Sequence, residues 1–504
     1  MAFRSVTNYR ETFKVILRKM HVSQKAFVNG QWVAAASDKV FEVTNPANGE
    51  VVGTVPDMDI QDAQNAIQAA ATAFETWKFT TAKERSQLLR KWFNLLNENQ
   101  ESIAKIMTAE SGKPISEALG EVHYGNSFIE WFSEQARNVR GEIVESPVTS
   151  KKILIDHHPI GVAALITPWN FPHAMIARKA GAALAVGCTC VVKPSEDTPL
   201  TALAIAKLAE DAGIPKGVLN IVTSDRHNAP SIGKLFCESP LVAGISFTGS
   251  TLVGKILYKQ CSSGVKRLAL ELGGNAPFIV YNSANLDKAV EGALGSKFRN
   301  CGQACVASNR FLIQDEVFDE FVTKLIHRVK QLKIGNGVEP NVNLGPLINE
   351  TQFNKVSDLV NDAISKGAKV LTGGKPASHI GKLFYEPTVI IDITENMKLY
   401  HEEVFGPVIN IIRFKTEEES LKIANGTQSG LAGYFYSEDI KQIFRVSRRM
   451  EVGMVGVNEG IISTAEAPFG GIKESGLGRE GSHRGIEDFT YIKYTEFLSF
   501  LWNQ

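Results

Sequence analysis

Short apolar runs alternate with helix-like stretches in the part of the chain between Pro159 and Gly274. The apolar runs occupy residues 162–166, 189–193, 218–222 and 245–247. Between them lie helical patterns, including residues 201–212 and 229–237. Strands that alternate with helices in this rhythm are usually parallel and joined by crossover helices. The pattern therefore predicts an α/β fold with a doubly wound parallel sheet.

The same alternation restarts after Ala276. A strand is predicted at residues 277–281, a helix at 286–299, a second strand at 310–314 and a long helix through Lys333. Because a new series of strands and helices begins here, we predict a second α/β unit that follows the first.

Residues 151–158 alternate in the manner of a strand but have no helix on either side. A strand of this kind presents an unpaired edge, and such edges are usually covered by another strand. The adjacent His157 and His158 would point to opposite faces of the strand, so we predict no metal site there.

Length and composition limit the class of protein. A chain of 504 residues with 44% hydrophobic content is expected to form roughly two or three domains. The 54 basic residues balance the 54 acidic ones, so nothing favours nucleic acid or an acidic membrane surface as a partner. No apolar run reaches the ~20 residues of a membrane span. Six cysteines do not form a disulfide framework. We therefore expect a soluble protein of a reducing compartment with a small-molecule partner.

The first twenty residues are basic and partly apolar. Five basic side chains stand against the single acidic Glu11: Arg4, Arg10, Lys14, Arg18 and Lys19. This composition suits a mitochondrial targeting helix, and it suits equally well an ordinary helix on the surface of a cytoplasmic protein. Mitochondrial and cytoplasmic localisation both stay open at this point.

The chemistry centres on two runs that hold a cysteine and a glutamate. Cys305 lies in Phe-Arg-Asn-Cys-Gly-Gln-Ala-Cys-Val-Ala at residues 298–307, and Glu271 lies in Leu-Glu-Leu-Gly-Gly-Asn at residues 270–275. A thiolate attacks carbonyl groups, but a base must first take its proton, and two glycines after a glutamate leave that side chain room to move. An isolated cysteine is more often a packing residue. The pair predicts a nucleophile and its base.

Four further runs occur in a fixed order along the chain: Ile-Thr-Pro-Trp-Asn-Phe-Pro at 166–172, Val-Lys-Pro-Ser-Glu at 192–196, Phe-Thr-Gly-Ser-Thr at 247–251 and Glu-Glu-Val-Phe-Gly-Pro at 402–407. Together with the runs that hold Cys305 and Glu271, these four runs resemble the motifs of the NAD(P)-dependent aldehyde dehydrogenase family. The resemblance extends from about Phe27 to the end of the chain.

This resemblance implies a domain plan. Residues 1–142 and 160–270 would form a Rossmann-type NAD-binding domain, and residues 271–484 would form the α/β catalytic domain. Residues 143–159 would form a β-hairpin arm which, together with residues 485–504, contacts a neighbouring subunit in a homotetramer or homodimer.

The resemblance also implies the reaction. Cys305 would attack the aldehyde to form a thiohemiacetal, a hydride would pass to NAD, and water activated by Glu271 would cleave the remaining thioester. The side-chain amide of Asn170 and the backbone N–H of Cys305 would stabilise the oxyanion. Lys179 and Glu480 would form a supporting proton relay.

Two glycine-rich runs compete for the cofactor phosphates. The Gly-x-Gly-x-x-Gly pattern at residues 476–481 follows no apolar strand, and too few residues remain after it for a βαβ unit, so we reject it. The run at 247–254 follows a strand and opens a helix, as a pyrophosphate site requires. By resemblance, the cofactor-binding residues are Ile166, Trp169, Lys193, Glu196, Gly249, Ser250, Glu403 and Phe405. The Glu196 carboxylate would repel a 2′-phosphate and so favours NAD over NADP, a preference that the neighbouring Ser195 softens.

Three residues indicate the substrate. Arg178 and Arg299 would line the aldehyde tunnel of the family fold, and a fork of donors suits a carboxylate. In the branch of the family that oxidises small semialdehyde acids, matching arginines and a serine, here Ser463, grip the acid end. We expect succinate semialdehyde as the substrate, which would place the reaction in the breakdown of 4-aminobutyrate. Glutarate semialdehyde and a broader range of aldehydes are the alternatives.

Two questions stay open at this point. Some enzymes of that branch carry a second cysteine two residues after the nucleophile, where this chain has Ala307, and Cys301 would replace it in a redox disulfide only if the two α-carbons came within ~7 Å. A cofactor-free thiol hydrolase and a non-catalytic relative are the other functional classes, although the intact Cys305, Glu271 and Asn170 argue against an inactive protein.

Overall fold

The computed structural model describes residues 23–498. The basic segment at residues 1–20 lies outside the described residues, so its two interpretations stay predictions. In chain order the strands are β1 (Ala26–Val28), β2 (Gln31–Val33), β3 (Val40–Thr44), β4 (Val51–Pro56), β5 (Glu142–Glu145), β6 (Lys151–Pro159), β7 (Val162–Ile166), β8 (Thr189–Lys193), β9 (Leu219–Ile221), β10 (Val242–Thr248), β11 (Arg267–Glu271), β12 (Ala276–Val280), β13 (Ser308–Gln314), β14 (Lys369–Thr372), β15 (Thr388–Ile391), β16 (Val408–Phe414), β17 (Ser429–Gly430), β18 (Ala432–Tyr436), β19 (Met454–Val457), β20 (Ile472–Lys473), β21 (Gly476–Leu477) and β22 (Thr490–Leu498).

The α-helices are α1 (Ile60–Trp77), α2 (Ala82–Glu98), α3 (Gln100–Ser111), α4 (Ile115–Gln135), α5 (Ala174–Val186), α6 (Pro199–Asp211), α7 (Ala229–Glu238), α8 (Thr251–Cys261), α9 (Leu286–Phe298), α10 (Phe318–Val329), α11 (Glu350–Ser365), α12 (Lys398–His401), α13 (Glu417–Asn425) and α14 (Ile440–Arg449).

The first large sheet has eight strands in the order β2-β1-β9-β8-β7-β10-β11-β21. The five strands from β9 to β11 are parallel, and antiparallel strands flank them on each side. The residues of α5 are buried along its whole length, and the strands β7 and β8 are almost entirely buried. Parallel sheets need this cover on their faces, which is why their strands are apolar throughout. The predicted doubly wound sheet is confirmed.

The chain reverses direction across this sheet between β7 and β10. It runs outward through β7, β8 and β9, and then returns to place β10 on the other side of β7. In open α/β sheets, ligands bind outside the carboxyl ends of the strands at such a switch point. The loops that follow β7, β10 and β11 therefore meet at the place where a site is expected.

The second large sheet has seven strands in the order β14-β15-β16-β13-β12-β18-β19. All of its pairs are parallel except β14 with β15. The second predicted α/β unit is therefore present. The domain boundaries stay a prediction, and β21, from the far end of the chain, joins the first sheet by pairing with β11.

A third sheet consists of β5, β6 and β22. The nine residues of β6 pair with the nine of β22, so the strand predicted at 151–158 is covered by one from the end of the chain. Large apolar side chains on β22 are exposed, among them Ile492 and Tyr494. Contact of this sheet with another subunit stays a prediction.

The rejected Gly-x-Gly-x-x-Gly run forms no nucleotide-binding unit. Gly476–Leu477 is a strand of two residues that pairs antiparallel with β11, and a short 3₁₀ helix at His483–Phe489 follows it. The rejection of this run is confirmed.

Residues 23–498 lack two kinds of feature. No helix among them has both the length and the apolar character to cross a membrane. Over the same stretch, no three or more His, Cys, Asp or Glu side chains are grouped where they would hold a metal ion.

Candidate active site

Cys305 lies between α9 and β13, just after a 3₁₀ turn at Arg299–Gly302. Asn300 and Cys301 have left-handed backbone angles, with φ of 52° and 56°. A Cβ at Gly302 would clash with the backbone carbonyl of Gly406, so only glycine fits that position. The turn is held in an unusual conformation, as functional loops often are, and the buried Cys305 follows it and lines a cleft.

Glu271 is the last residue of β11, and its buried carboxylate lies beside the Cys305 thiol. Burial raises the pKa of Cys305 well above its ordinary value, and the negative Glu271 raises it further. Burial also raises the pKa of Glu271, although the Arg178 charge opposes this. The resting thiol is therefore neutral, and the group that can take its proton lies next to it.

Asn170 lies in the loop that follows β7 and is buried. Its amide nitrogen Nδ2 donates to the Gln303 carbonyl at 3.1 Å, and its Oδ1 accepts from the Phe171 N–H at 3.1 Å. These two contacts turn the N–H side of the amide toward the Cys305 loop. Since an amide nitrogen carries two hydrogens, one of them stays available to an oxyanion.

A buried network from α4 and the residues before it holds this loop, and we did not predict it. Lys113 Nζ donates to the Asn170 carbonyl at 2.7 Å and to Glu121 Oε2 at 2.5 Å. Asn300 Nδ2 donates to the same carbonyl at 2.9 Å, while its backbone N–H donates to Glu117 Oε2 at 2.9 Å. The sequence feature that could have indicated this network is the pair Glu117 and Glu121, which lie four residues apart on one face of α4. The network ties Asn170 to the turn that carries the nucleophile.

Alternating charges continue from Glu271 into the interior. Arg178 NH2 contacts Glu271 Oε2 at 3.0 Å, and the Arg178 Nε pairs with Glu480. Lys179 pairs with Glu480 and donates to Thr248 Oγ1 at 2.7 Å. Burial would raise the pKa of Glu480, yet Arg178 and Lys179 hold that pKa below its ordinary value. The structure thus brings the predicted Lys179 and Glu480 together, and it adds a contact of Arg178 with the predicted base.

The three predicted substrate residues share one neighbour in the structure. Arg178 is buried and stacks on the Phe469 ring at 4.4 Å, whereas Arg299 is half-buried and lies 5.3 Å from the centroid of the Phe171 ring. Ser463 is half-buried in the segment after β19. All three neighbour the Tyr124 hydroxyl, a residue that we did not predict for the site.

A cleft of about 230 Å³ joins the predicted catalytic residues to most of the predicted cofactor residues. Its walls include the predicted Trp169, Asn170, Gly249, Ser250, Glu271, Cys305, Glu403 and Phe405. Gln352 and Lys355 also line it, and we did not predict them. Ile166, Lys193 and Glu196 lie outside the cleft, at the carboxyl ends of the adjacent strands β7 and β8, where Ile166 and Lys193 are register partners.

The groups along this cleft fit a dinucleotide. Ser250 caps the N-terminus of α8, where backbone N–H groups and the helix dipole favour phosphate. Glu403 Oε1 accepts from the Gly274 N–H at 3.0 Å, and burial raises the pKa of Glu403 to about 7. A Cβ at Gly273 would come within 3.1 Å of Glu403 Oε2. Groups suited to a phosphate and to a ribose hydroxyl thus line one groove.

Cys301 is buried in the 3₁₀ turn, and burial raises its pKa above the ordinary value of a thiol. All six cysteines are free thiols in the structure. A redox disulfide between Cys301 and Cys305 stays a prediction.

Comparison with known proteins identifies the family. The sequence profile described as "Aldehyde dehydrogenase family" matches residues 32–495. The chain is 55% identical to the mitochondrial succinate-semialdehyde dehydrogenase of Homo sapiens over 470 residues, which are 93% of this chain and 87% of the relative. It is 51% identical to the glutarate-semialdehyde dehydrogenase of Pseudomonas aeruginosa over 471 residues, which are 94% of this chain and 97% of that protein.

Solved structures share the fold. A succinate-semialdehyde dehydrogenase from Burkholderia pseudomallei has a TM-score of 0.93 and 51% identity, covering 95% of this chain and 98% of its own. An NADP-dependent enzyme of E. coli has a TM-score of 0.93 and 50% identity over 94% of this chain and 98% of its own. Betaine aldehyde dehydrogenase of Staphylococcus aureus, solved with NAD⁺, has a TM-score of 0.93 and 35% identity over 96% of each chain.

Proposed function

The chain belongs to the aldehyde dehydrogenase family, and we propose that it oxidises succinate semialdehyde to succinate with NAD as the hydride acceptor. The observation that carries the substrate proposal is the grouping of Arg178, Arg299 and Ser463 around one buried hydroxyl. Arg178 lies near Cys305 as well, so a short substrate would reach both the thiol and the arginines.

We infer the following roles for the chain's own residues. Glu271 takes the proton of Cys305, and the thiolate sulfur attacks the aldehyde carbon, so that the carbonyl oxygen becomes an oxyanion. The Asn170 amide and the Cys305 backbone N–H donate to this oxygen. NAD, when bound, accepts the hydride from the substrate carbon. After Glu271 has released the Cys305 proton to solvent, it takes a proton from water, the hydroxide attacks the thioester carbonyl, and the Cys305 thiolate leaves.

The proposed substrate has an acid end because the site is rich in fixed donors. A guanidinium group presents its N–H groups in a planar fork that matches a carboxylate, and a buried anion needs such partners. The 51% identity to a glutarate-semialdehyde dehydrogenase keeps that substrate as the second candidate. A pocket distinguishes one methylene by only ~1–3 kcal/mol, so we expect measurable activity with both semialdehydes.

Arg299→Ala is expected to lower the preference for a charged aldehyde. The variant loses one cation facing the carboxylate, which should weaken binding of succinate semialdehyde by roughly 2–5 kcal/mol. Butanal has no carboxylate and should lose little. The measured quantity is the ratio of kcat/KM for succinate semialdehyde to that for butanal. A wild-type ratio near one, or a ratio that the substitution leaves unchanged, would show a general aldehyde dehydrogenase.

Arg178→Ala serves as the contrasting variant. Because Arg178 also contacts Glu271 and Glu480, its removal leaves two buried carboxylates without their shared partner. We therefore expect activity with butanal to fall in this variant, unlike in Arg299→Ala. Arg299, which has no such contact with the base, isolates recognition of the carboxylate.

The preference for NAD rests on Glu196. Its carboxylate would accept hydrogen bonds from two free ribose hydroxyls and repel a 2′-phosphate. The exposed Arg226 lies 3.8 Å from Glu196 Oε1 and is a cation that a 2′-phosphate would attract once the carboxylate is gone.

Glu196→Ser is accordingly expected to raise the use of NADP relative to NAD. The measurement is kcat/KM for each cofactor at saturating aldehyde. The control is the double variant that combines Glu196→Ser with Arg226→Ala, which should lose part of the gain. An enzyme that already prefers NADP with Glu196 intact would overturn this assignment.

Localisation and assembly complete the proposal. We infer a mitochondrial enzyme, because the 55%-identical human relative is mitochondrial and residues 1–20 are basic. The cytoplasm is the alternative, as bacterial relatives are similarly close. We further infer a homotetramer or homodimer in which the sheet β5-β6-β22 contacts a second copy, since its outer face carries exposed apolar side chains.

A further inference from the structure

Tyr124 lies on α4, the helix that packs against the helix carrying Arg178. Its ring is fixed edge-on against Phe128, with the centroids 5.0 Å apart and the planes at 75°. Its hydroxyl oxygen is buried and makes no hydrogen bond within the described part of the chain. Buried hydroxyls nearly always have a partner, and one without a partner calls for an explanation.

The neighbours of this hydroxyl are Arg178, Arg299 and Ser463. The two guanidinium groups only donate hydrogen bonds, whereas the tyrosine and serine hydroxyls both donate and accept. Four groups that can donate therefore lie close together, and only the two hydroxyls among them can also accept. A group with several acceptor positions and a negative charge would satisfy all of them, and a carboxylate has that character.

Arg178 already forms ion pairs within the protein. Its guanidinium contacts both Glu271 and Glu480, so this side chain has fewer free donors than an unpaired arginine. Burial raises the pKa of Tyr124, against the opposing effect of the two arginines, so the phenol keeps its proton at neutral pH and can donate it. A neutral donor here adds a hydrogen bond without adding another charge to the buried network.

We propose that Tyr124 is a specificity residue whose hydroxyl donates a hydrogen bond to the carboxylate of the substrate. This inference rests on the proposed function, since it requires a substrate with an acid end. The hydroxyl has no part in bond making at the aldehyde carbon. Its loss should therefore act mainly on KM for acid substrates and leave kcat nearly unchanged.

Tyr124→Phe tests the proposal because it removes only the oxygen and keeps the ring that packs on Phe128. We expect kcat/KM for succinate semialdehyde to fall roughly 10- to 100-fold, mostly through KM, as for loss of a hydrogen bond to a charged group. The value for butanal should stay the same. Tyr281→Phe is the matched control, because it also removes a buried hydroxyl, one that contacts Ser420 on α13 and does not line the cleft of the candidate site. It should leave both substrates unaffected.

The possible results distinguish failure of the proposed function from failure of the proposed role of Tyr124. A wild-type enzyme that does not prefer succinate semialdehyde over butanal overturns the proposed function, and the role of Tyr124 with it. A strong wild-type preference that Tyr124→Phe leaves unchanged overturns the role of Tyr124 alone. Equal losses with both substrates would show that the hydroxyl supports the fold, which also contradicts the proposal.

Discussion

Cys305→Ala is expected to abolish NAD reduction with every aldehyde and to leave binding of NADH intact. Without the sulfur, the aldehyde carbon does not become tetrahedral and its oxygen does not become an oxyanion. Because the oxyanion is what drives the hydride from that carbon, no hydride transfer follows. Loss of a nucleophile typically costs roughly 10⁴-fold or more in turnover. The residues proposed to bind the cofactor, such as Ser250 and Glu403, do not include Cys305, so NADH should still bind. The measurements are the rate of NADH formation and the quenching of NADH fluorescence on binding.

Cys301→Ala is the control for this experiment. Cys301 lies four residues earlier in the same run, is buried, and belongs to the 3₁₀ turn, so its removal should leave most of the activity. If Cys301→Ala were the inactive variant and Cys305→Ala retained more than a few per cent, the nucleophile would be misassigned. Failure of the wild-type protein to bind NADH would instead favour a cofactor-free thiol hydrolase.

The sequence predicts the sheets of this fold well because their signal is local. The strands β7, β8 and β10 are short, largely apolar and separated by helices, so the alternation is visible within windows of a few residues. The strand β6 was predicted as well, but its partner β22 lies more than 300 residues away in the sequence. Pairing over that distance leaves no local pattern, and only the structure identifies it.

Some residues of the candidate site could likewise be predicted from the sequence, and others could not. Cys305, Glu271 and Asn170 stand in runs whose chemistry and order are recognisable, and the structure brings all three to one cleft. Tyr124 and Lys113 were missed, because a single tyrosine or lysine on or beside a helix looks the same whether it faces solvent or a buried cluster. The contact of Arg178 with Glu271 was missed for the same reason, since sequence spacing does not state which charges pair.

Glu271→Gln is expected to produce one burst of NADH for each active site and then to stall. Hydride transfer comes before hydrolysis, and only hydrolysis requires a base that activates water. Glutamine keeps the size of the side chain and its contact with Arg178 while losing the ability to take a proton. We expect steady-state turnover to fall roughly 10²- to 10⁴-fold. Rapid-mixing absorbance measurements of the burst, followed by steady-state rates, separate the two phases.

The dependence on pH gives this experiment a second readout. Burial raises the pKa of Glu271, and the carboxylate is the form that accepts a proton, so wild-type turnover should fall as the pH drops through that pKa. Glutamine does not titrate, so that decline should disappear from the residual turnover of the variant. Because Glu271 also takes the proton of Cys305 in the proposed mechanism, the burst in the variant should form more slowly but reach the same amplitude. Unchanged steady-state turnover would contradict the role of Glu271 in hydrolysis, and a variant without any burst would contradict the expectation that hydride transfer proceeds without Glu271. The first result would remove Glu271 from hydrolysis, and the second would make it essential before hydride transfer.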